Sequence, residues 1–107
     1  MTLSGEAEAY GAKGNVYYKA FQICRPGDIS INDRVVATLA YKLFEEAESK
    51  GSSRHIRSKE WLKDNEVLFG KAQWFMMDAN IKNQGYVKAS STCYKWVSEK
   101  LNKGKGW

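Results

Sequence analysis

The chain has 107 residues, of which 43% are hydrophobic and 13% aromatic, and 17 basic against 12 acidic residues give a net charge of +5 at pH 7. This length suits one domain, and the composition excludes a disordered chain. The sequence has no run of about 18 apolar residues and no basic stretch followed by an apolar one near its start. We therefore expect a cytoplasmic domain with no membrane contact.

The first 31 residues change character at residue 15. Residues 1–14 are rich in Gly, Ala and Glu, and we expect them to form a flexible N-terminal arm. Residues 15–24, NVYYKAFQIC, are dense in β-branched and aromatic side chains and predict the long strand of a sheet. The Arg-Pro-Gly-Asp sequence that follows predicts a turn, and residues 29–31 predict a short return strand.

The clearest helix of the sequence covers about residues 32–50. Apolar residues recur there at helical spacing along one face. Ser30 or Asn32 can cap its N-terminus, and Gly51 can end it.

Residues 58–82 carry two apolar stripes, whereas a surface helix usually carries one. Both stripes keep their phase across Gly70, so we expect one long helix. A close neighbour would then offset the roughly 1 kcal/mol that a mid-helix glycine costs. The second stripe must be covered by the last helix, the sheet or a second chain. Its candidate interface residues are Gly70, Trp74, Met77 and Ile81.

The C-terminal part predicts a short strand at residues 86–88, which could pair with the long strand, and a last helix at residues 91–102. Residues 103–107 form a basic tail. Together these elements predict a single α+β domain over residues 15–102. A small antiparallel sheet, made of the long strand and one or two short ones, would pack against three helices at about residues 32–50, 58–82 and 91–102.

Candidate groups for catalysis or metal binding are few. Cys24 and Cys93 are interpreted as buried thiols of a reducing compartment, because a disulfide would need a proximity that sequence does not show. His55 is the only histidine and lies between two arginines. Zinc, calcium and phosphate-loop motifs are missing. We therefore expect no enzyme activity, no cofactor and no metal.

The charge is unevenly distributed, because residues 1–51 hold six basic and seven acidic residues and residues 52–107 hold eleven and five. A basic half favours nucleic acid as a partner, although lysines that only improve solubility would give the same numbers. With residues 90–102 as a recognition helix, DNA is favoured over RNA. We expect phosphate contacts and stacking from Lys88, Ser90, Ser91, Tyr94, Lys95, Lys103 and Lys105.

A second hypothesis is that the chain is a protein-interaction module, either a homodimer or an inhibitor of a host factor. Four tryptophans in 107 residues are a composition that interfaces favour. Two copies could pair through residues 15–24 or pack across Gly70. Alternatively, the helices cover both stripes within one chain.

Overall fold

The computed structural model describes residues 5–25 and 27–107 of the chain. Within these residues the fold is mixed, with five α-helices and a small antiparallel sheet of two strands, so the α+β expectation holds at this level. The helices are α1 (Gly5–Cys24), α2 (Ile31–Ser49), α3 (Ile56–Asp64), α4 (Lys71–Phe75) and α5 (Ala79–Gln84), followed by β1 (Tyr86–Val87), a 3₁₀ helix (Thr92–Tyr94) and β2 (Leu101–Asn102).

Helix α1 replaces two predicted elements, the long strand at residues 15–24 and the part of the flexible arm that is described. Both predictions are wrong over residues 5–24. The buried positions follow helical spacing. Two of them are glycines, so the buried face of the helix cannot be recognised as a stripe of apolar side chains in the sequence. Tertiary packing overrides the β-propensity of the aromatic run. The buried residues of α1 are Ala7, Gly11, Gly14, Tyr17 and Phe21.

Helices α1 and α2 pack side by side, and the glycines of α1 allow the close approach. A Cβ on Gly14 would lie 2.9 Å from ring atoms of Phe44, and one on Gly11 would lie 2.8 Å from the imidazole of His55. Phe44 is 2% exposed and Phe21 is fully buried, so this contact forms the centre of the core.

The prediction of α2 is confirmed, including its N-cap. Ser30 Oγ accepts a hydrogen bond from Asp33 N (3.1 Å), and Asp33 Oδ2 accepts one from Ser30 N (2.9 Å), which makes a capping box. Gly51 follows the helix with a φ of +104°, a conformation that glycine adopts without strain. The return strand predicted at residues 29–31 is wrong, because these residues form the cap and the first turn of α2.

The single helix predicted at residues 58–82 is also wrong, since it is divided into α3, α4 and α5. Side chains of α2 satisfy the backbone of the first break. Arg34 donates to the carbonyl oxygen of Glu66 (2.9 Å), and Thr38 Oγ1 accepts from Phe69 N (2.7 Å). These bonds replace helical ones and let Val67 and Phe69 reach the core.

Gly70 is the N-cap of α4 rather than a mid-helix contact point. Its amide donates to Gln73 Oε1 (2.8 Å), and a Cβ there would meet only that oxygen, at 3.6 Å. The expectation of a closely packed neighbour at Gly70 is therefore wrong.

The helix predicted at residues 91–102 is replaced by the 3₁₀ helix and β2. The short strand predicted at residues 86–88 is confirmed as β1, but it pairs with β2 and not with the N-terminal segment. The disulfide of Cys93 and the hydrogen bond from Tyr94 to Asp33 hold the 3₁₀ helix against the helical part of the fold, and the chain then continues to β2, which pairs with β1. That geometry excludes a continuous helix over residues 91–102.

A disulfide joins Cys24, at the end of α1, to Cys93 in the 3₁₀ helix, with the two Cα atoms 6.0 Å apart. The expectation of two free thiols is therefore wrong. The sequence separation of 69 residues explains why no local pattern indicated the bond. The basic C-terminal segment is thus covalently attached to the α1–α2 pair.

The tail at residues 103–107 folds back onto the core through its last residue. The ring of Trp107 lies 5.7 Å from that of Phe69 and 5.9 Å from that of Trp74. In residues 5–25 and 27–107, no helix is both long enough and apolar enough to cross a membrane.

Candidate nucleic-acid interface

The whole net charge of the chain resides in its last 37 residues. Residues 1–70 hold ten basic and ten acidic side chains, whereas residues 71–107 hold seven lysines and only Asp78 and Glu99. A net charge this localised produces a directional field that attracts anions. The lysines are Lys71, Lys82, Lys88, Lys95, Lys100, Lys103 and Lys105.

The two carboxylates of this segment are occupied elsewhere. Asp78 Oδ1 caps α5 by accepting from Ile81 N (3.0 Å), and Glu99 forms an ion pair with Lys13 of α1. Within the described part of the chain, none of the seven lysines forms an ion pair. Their charge is therefore available to a ligand.

The strand register gathers four polar side chains on one face of the two-stranded ribbon. Val87 pairs with Leu101 and both are buried, while Tyr86 pairs with Asn102 on the opposite face. Lys88 and Lys100 are the next residues beyond the paired ones, and both are exposed. Because side chains alternate along a strand, continuing the register places them on the same face as Tyr86 and Asn102.

The same face contains an aromatic ring. Lys100 Nζ lies 4.6 Å from the centroid of the Tyr86 ring, within the range of a cation–π contact. The ribbon is lengthened by the bond from Lys103 N to the carbonyl oxygen of Gly85 (3.0 Å). We call Tyr86, Lys88, Lys100 and Asn102, together with the exposed Lys103 that follows β2, the basic ribbon.

Only two of the seven residues predicted to bind nucleic acid belong to the basic ribbon, namely Lys88 and Lys103. Lys95 and Lys105 are exposed but lie outside it. The remaining three are Ser90, Ser91 and Tyr94.

The structure gives each of these three residues a local role. The amide of Ser90 donates to Asn32 Oδ1 (2.8 Å), and Ser91 is the N-cap of the 3₁₀ helix. Tyr94 is 1% exposed and its hydroxyl donates to Asp33, so no base can stack on its ring. With the recognition helix replaced by a 3₁₀ helix and a strand, helical readout of a DNA groove also loses its basis.

Sequence reasoning omitted Tyr86, Lys100 and Asn102 from the site. A usable signal was present, because residues 86–88 and residues 100–102 share the same polar–apolar–polar alternation. Two short strands with matching alternation would have suggested a hairpin-like pair. The assignment of residues 91–102 to a helix concealed it.

The predicted interface residues lie mostly against their own chain. Trp74 is 4% exposed, and Met77 and Ile81 are partly buried against the core. Gly70 is partly exposed at the start of α4.

An exposed apolar surface lies next to this stripe, at the end of α4. Phe75 is 76% exposed and Met76 is 75% exposed, and together with Ala72 they form an open apolar surface. Lys82 Nζ lies 4.9 Å from the centroid of the Phe75 ring. Trp96 is half exposed, and its indole N–H donates to the carbonyl oxygen of Cys93 (3.0 Å).

A separate cavity of about 250 Å³ lies beside His55. The imidazole stacks on Phe44 with 5.0 Å between centroids, and burial, together with the charge of Arg54, lowers the pKa of His55. Within residues 5–25 and 27–107 no side chain hydrogen-bonds to this imidazole, so the geometry supplies no nucleophile–base pair there. The cavity is lined by Glu8, Ala12, Asn15, Ser52, Arg54 and His55.

Two further observations complete the description of candidate sites. Among the described residues, no group of three or more His, Cys, Asp and Glu side chains is placed to hold a metal ion. No protein-family model matches the chain, and comparison with curated proteins and with solved structures finds no match. Similarity therefore assigns the chain to no family.

Proposed function

We propose that this chain is a non-catalytic accessory protein that binds nucleic acid through the basic ribbon. The observation that carries the proposal is the β1–β2 register, which when continued by one residue brings Lys88 opposite Lys100, together with the contact of Lys100 with the Tyr86 ring; no carboxylate pairs with either lysine in the described structure. Like charges that face each other across a strand pair are destabilising. A phosphate between them would relieve this repulsion.

The chemistry of the ribbon favours contacts to the backbone of the ligand over readout of its bases. Lysine is a flexible point charge that suits phosphate oxygens, whereas the bidentate recognition of guanine is made best by arginine. Asn102 is the single ribbon side chain that suits a base edge. The preference for DNA over RNA depended on a recognition helix at residues 90–102, which the structure does not contain. The proposal therefore covers both DNA and RNA.

A binding titration tests the proposal directly. A short fluorescein-labelled oligonucleotide should bind at low salt, and its affinity should fall steeply as salt rises, because lysines that contact phosphates release counterions. Each phosphate contact that is lost should lower the slope of log K against log salt by about 0.7 to 0.9. The double variant Lys88→Glu, Lys100→Glu should therefore bind more weakly by at least about tenfold and show a shallower slope.

The matched control is the double variant Lys19→Glu, Lys63→Glu, which makes the same change in net charge on exposed positions of α1 and α3. We expect it to retain most of the affinity. Equal losses in both double variants would mean that only net charge matters, and absence of binding by the wild type at low salt would refute the proposal.

Protein association stays as the alternative function, now favoured by the exposed Phe75 and Met76. A mass at micromolar concentration that exceeds one chain, and that falls to one chain in Met76→Ala, would support a homodimer. A monomeric mass would leave the homodimer without support.

The expected cytoplasmic location is also still a proposal. Disulfides are rare in cytosolic proteins and typical of oxidising compartments, so the Cys24–Cys93 bond weighs against it.

A further inference from the structure

Two aromatic rings, one in the basic ribbon and one near it, each form a cation–π contact with a lysine. Phe75 lies beneath Lys82, and Tyr86 lies beneath Lys100. The two pairs are close in sequence, because Lys82, near the end of α5, precedes Tyr86 by only four residues. Four residues span at most about 14 Å, so the backbone at Lys82 lies close enough to that at Tyr86 for one ligand to contact both positions.

Among the described residues, the position of α4 does not depend on Phe75. Its neighbour Trp74 fills the core at 4% exposure, so α4 is already anchored without Phe75. A large aromatic side chain left in water forgoes the stabilisation that its burial would give. Lys82 can cover one face of the ring, and at 76% exposure the rest of the ring is open to a ligand.

We propose that the ligand of the basic ribbon is a single strand, whose unpaired bases stack on Phe75 and Tyr86 while its phosphates lie against the neighbouring lysines. This inference rests on the proposed function. Aromatic platforms combined with a positive surface are the usual means of binding single strands without sequence preference. Each stacked base typically contributes about 1–3 kcal/mol.

A duplex fits the same surface less well. Its bases are already stacked on one another, and a protein meets them only at their edges in the grooves. Phe75, Met76 and Ala72 present no hydrogen-bond donors or acceptors to such edges. An exposed phenyl ring is complementary to the face of an unpaired base, and the lysine beside each ring is complementary to the phosphate that follows that base.

The experiment compares a fluorescein-labelled single strand of mixed sequence with the blunt duplex that it forms with its complement. Both are titrated at low salt with the wild type and with Phe75→Ala. We expect the single strand to bind more tightly than the duplex. Phe75→Ala should weaken single-strand binding roughly five- to 100-fold, the range that one stacked base provides, and change duplex binding by less than about twofold.

Met76→Ala is the matched control, because Met76 is the adjacent residue, is equally exposed and has no ring on which a base can stack. We expect it to bind the single strand within about twofold of the wild type. Both side chains are solvent-exposed, so both variants should fold, and their far-ultraviolet circular dichroism should match that of the wild type.

The outcomes separate this inference from the proposed function. If both probes bind equally, and binding falls in the Lys88→Glu, Lys100→Glu variant but not in Phe75→Ala, the ribbon proposal stands and the single-strand inference is overturned. Equal losses in Phe75→Ala and Met76→Ala would also overturn it, since an apolar docking surface for a protein or lipid would explain them. If neither probe binds, both proposals fail.

Discussion

The hydroxyl of Tyr94 donates a 2.5 Å hydrogen bond to the carboxylate of Asp33, which lies 61 positions earlier in the chain. The other oxygen of Asp33 accepts from the amide and the hydroxyl of Ser30. Asp33 is 2% exposed and Tyr94 is 1% exposed. One buried carboxylate therefore both caps α2 and anchors the 3₁₀ helix from which the basic segment continues.

Removing the hydroxyl of Tyr94 should destabilise the fold. In Tyr94→Phe the Asp33 oxygen loses its partner in a buried site, and we expect the free energy of unfolding to fall by about 1–3 kcal/mol. Chemical denaturation measures this loss. Tyr10→Phe is the control, because the hydroxyl of this partly exposed residue has no hydrogen-bond partner among the described residues, and the stability of the variant should equal that of the wild type. An unchanged stability in Tyr94→Phe would contradict the role of the bond.

Stability should also fall at alkaline pH. Burial, followed by the hydrogen bond to Asp33, raises the pKa of Tyr94 far above its usual 10.0, and burial raises the pKa of Tyr17. Above about pH 10 the unfolded chain therefore loses tyrosine protons that the folded chain keeps. The stabilisation is complete below that pH and is lost as the pH rises, by at most about 1.4 kcal/mol per pH unit for each group, until the pH reaches the pKa of that group in the folded chain.

Tyrosinate absorbance and chemical denaturation measured from pH 9 to 12 test this pH dependence. The slope of stability against pH should be shallower in Tyr94→Phe than in the wild type. If Tyr94 ionised in the folded protein near pH 10, the expected difference in slope would be absent.

Breaking the disulfide should loosen the attachment of the C-terminal segment. The bond closes a loop across 69 positions, and its removal in Cys24→Ser, Cys93→Ser should lower the free energy of unfolding by about 2–4 kcal/mol. Titration with a thiol reagent under denaturing, non-reducing conditions should find no free thiol in the wild type. Two free thiols per chain would show that the bond is not formed.

The small residues of α1 should not tolerate larger side chains. In Gly14→Leu the new side chain meets the ring of Phe44 and the Cβ of Leu43, which stand 2.9 and 3.1 Å from an added Cβ. Overpacking costs about 1–3 kcal/mol and should outweigh the ~1 kcal/mol gained by replacing a helical glycine. Thermal denaturation should show a lower midpoint.

Lys19→Leu is the control for that prediction, because it adds the same side chain at an exposed position of α1. Its denaturation midpoint should stay close to that of the wild type. A midpoint in Gly14→Leu equal to that of the control would mean that α1 and α2 do not approach as closely as the structure has them.

Local sequence signals were sufficient to predict an element whose own residues provide an N-cap, a continuous apolar face and a C-terminal glycine. Helix α2 has Ser30 with Asp33 at its start, a continuous apolar face, and Gly51 at its end, so its boundaries could be read from the sequence. Gly85, with a φ of +83°, ends α5, and a glycine just after the last helical residue is a common signal for a helix end.

Local signals misled where the determining partner is distant. In α1 the buried face includes Gly11 and Gly14, whose role appears only when Phe44 and His55 are placed against them. The break after α3 depends on Arg34 and Thr38, which lie about 30 positions away in α2. Propensity could not anticipate hydrogen bonds to another helix.

The uneven charge is a property of the sequence alone, since residues 71–107 carry the whole excess of lysines in any conformation. The position of those lysines is decided by tertiary structure. The disulfide and the Tyr94–Asp33 bond hold residues 93 and 94 against the two long helices, and the chain then returns as β2 beside β1. Contacts spanning 61 and 69 positions leave no local pattern, so only the folded chain could show Lys88 and Lys100 side by side.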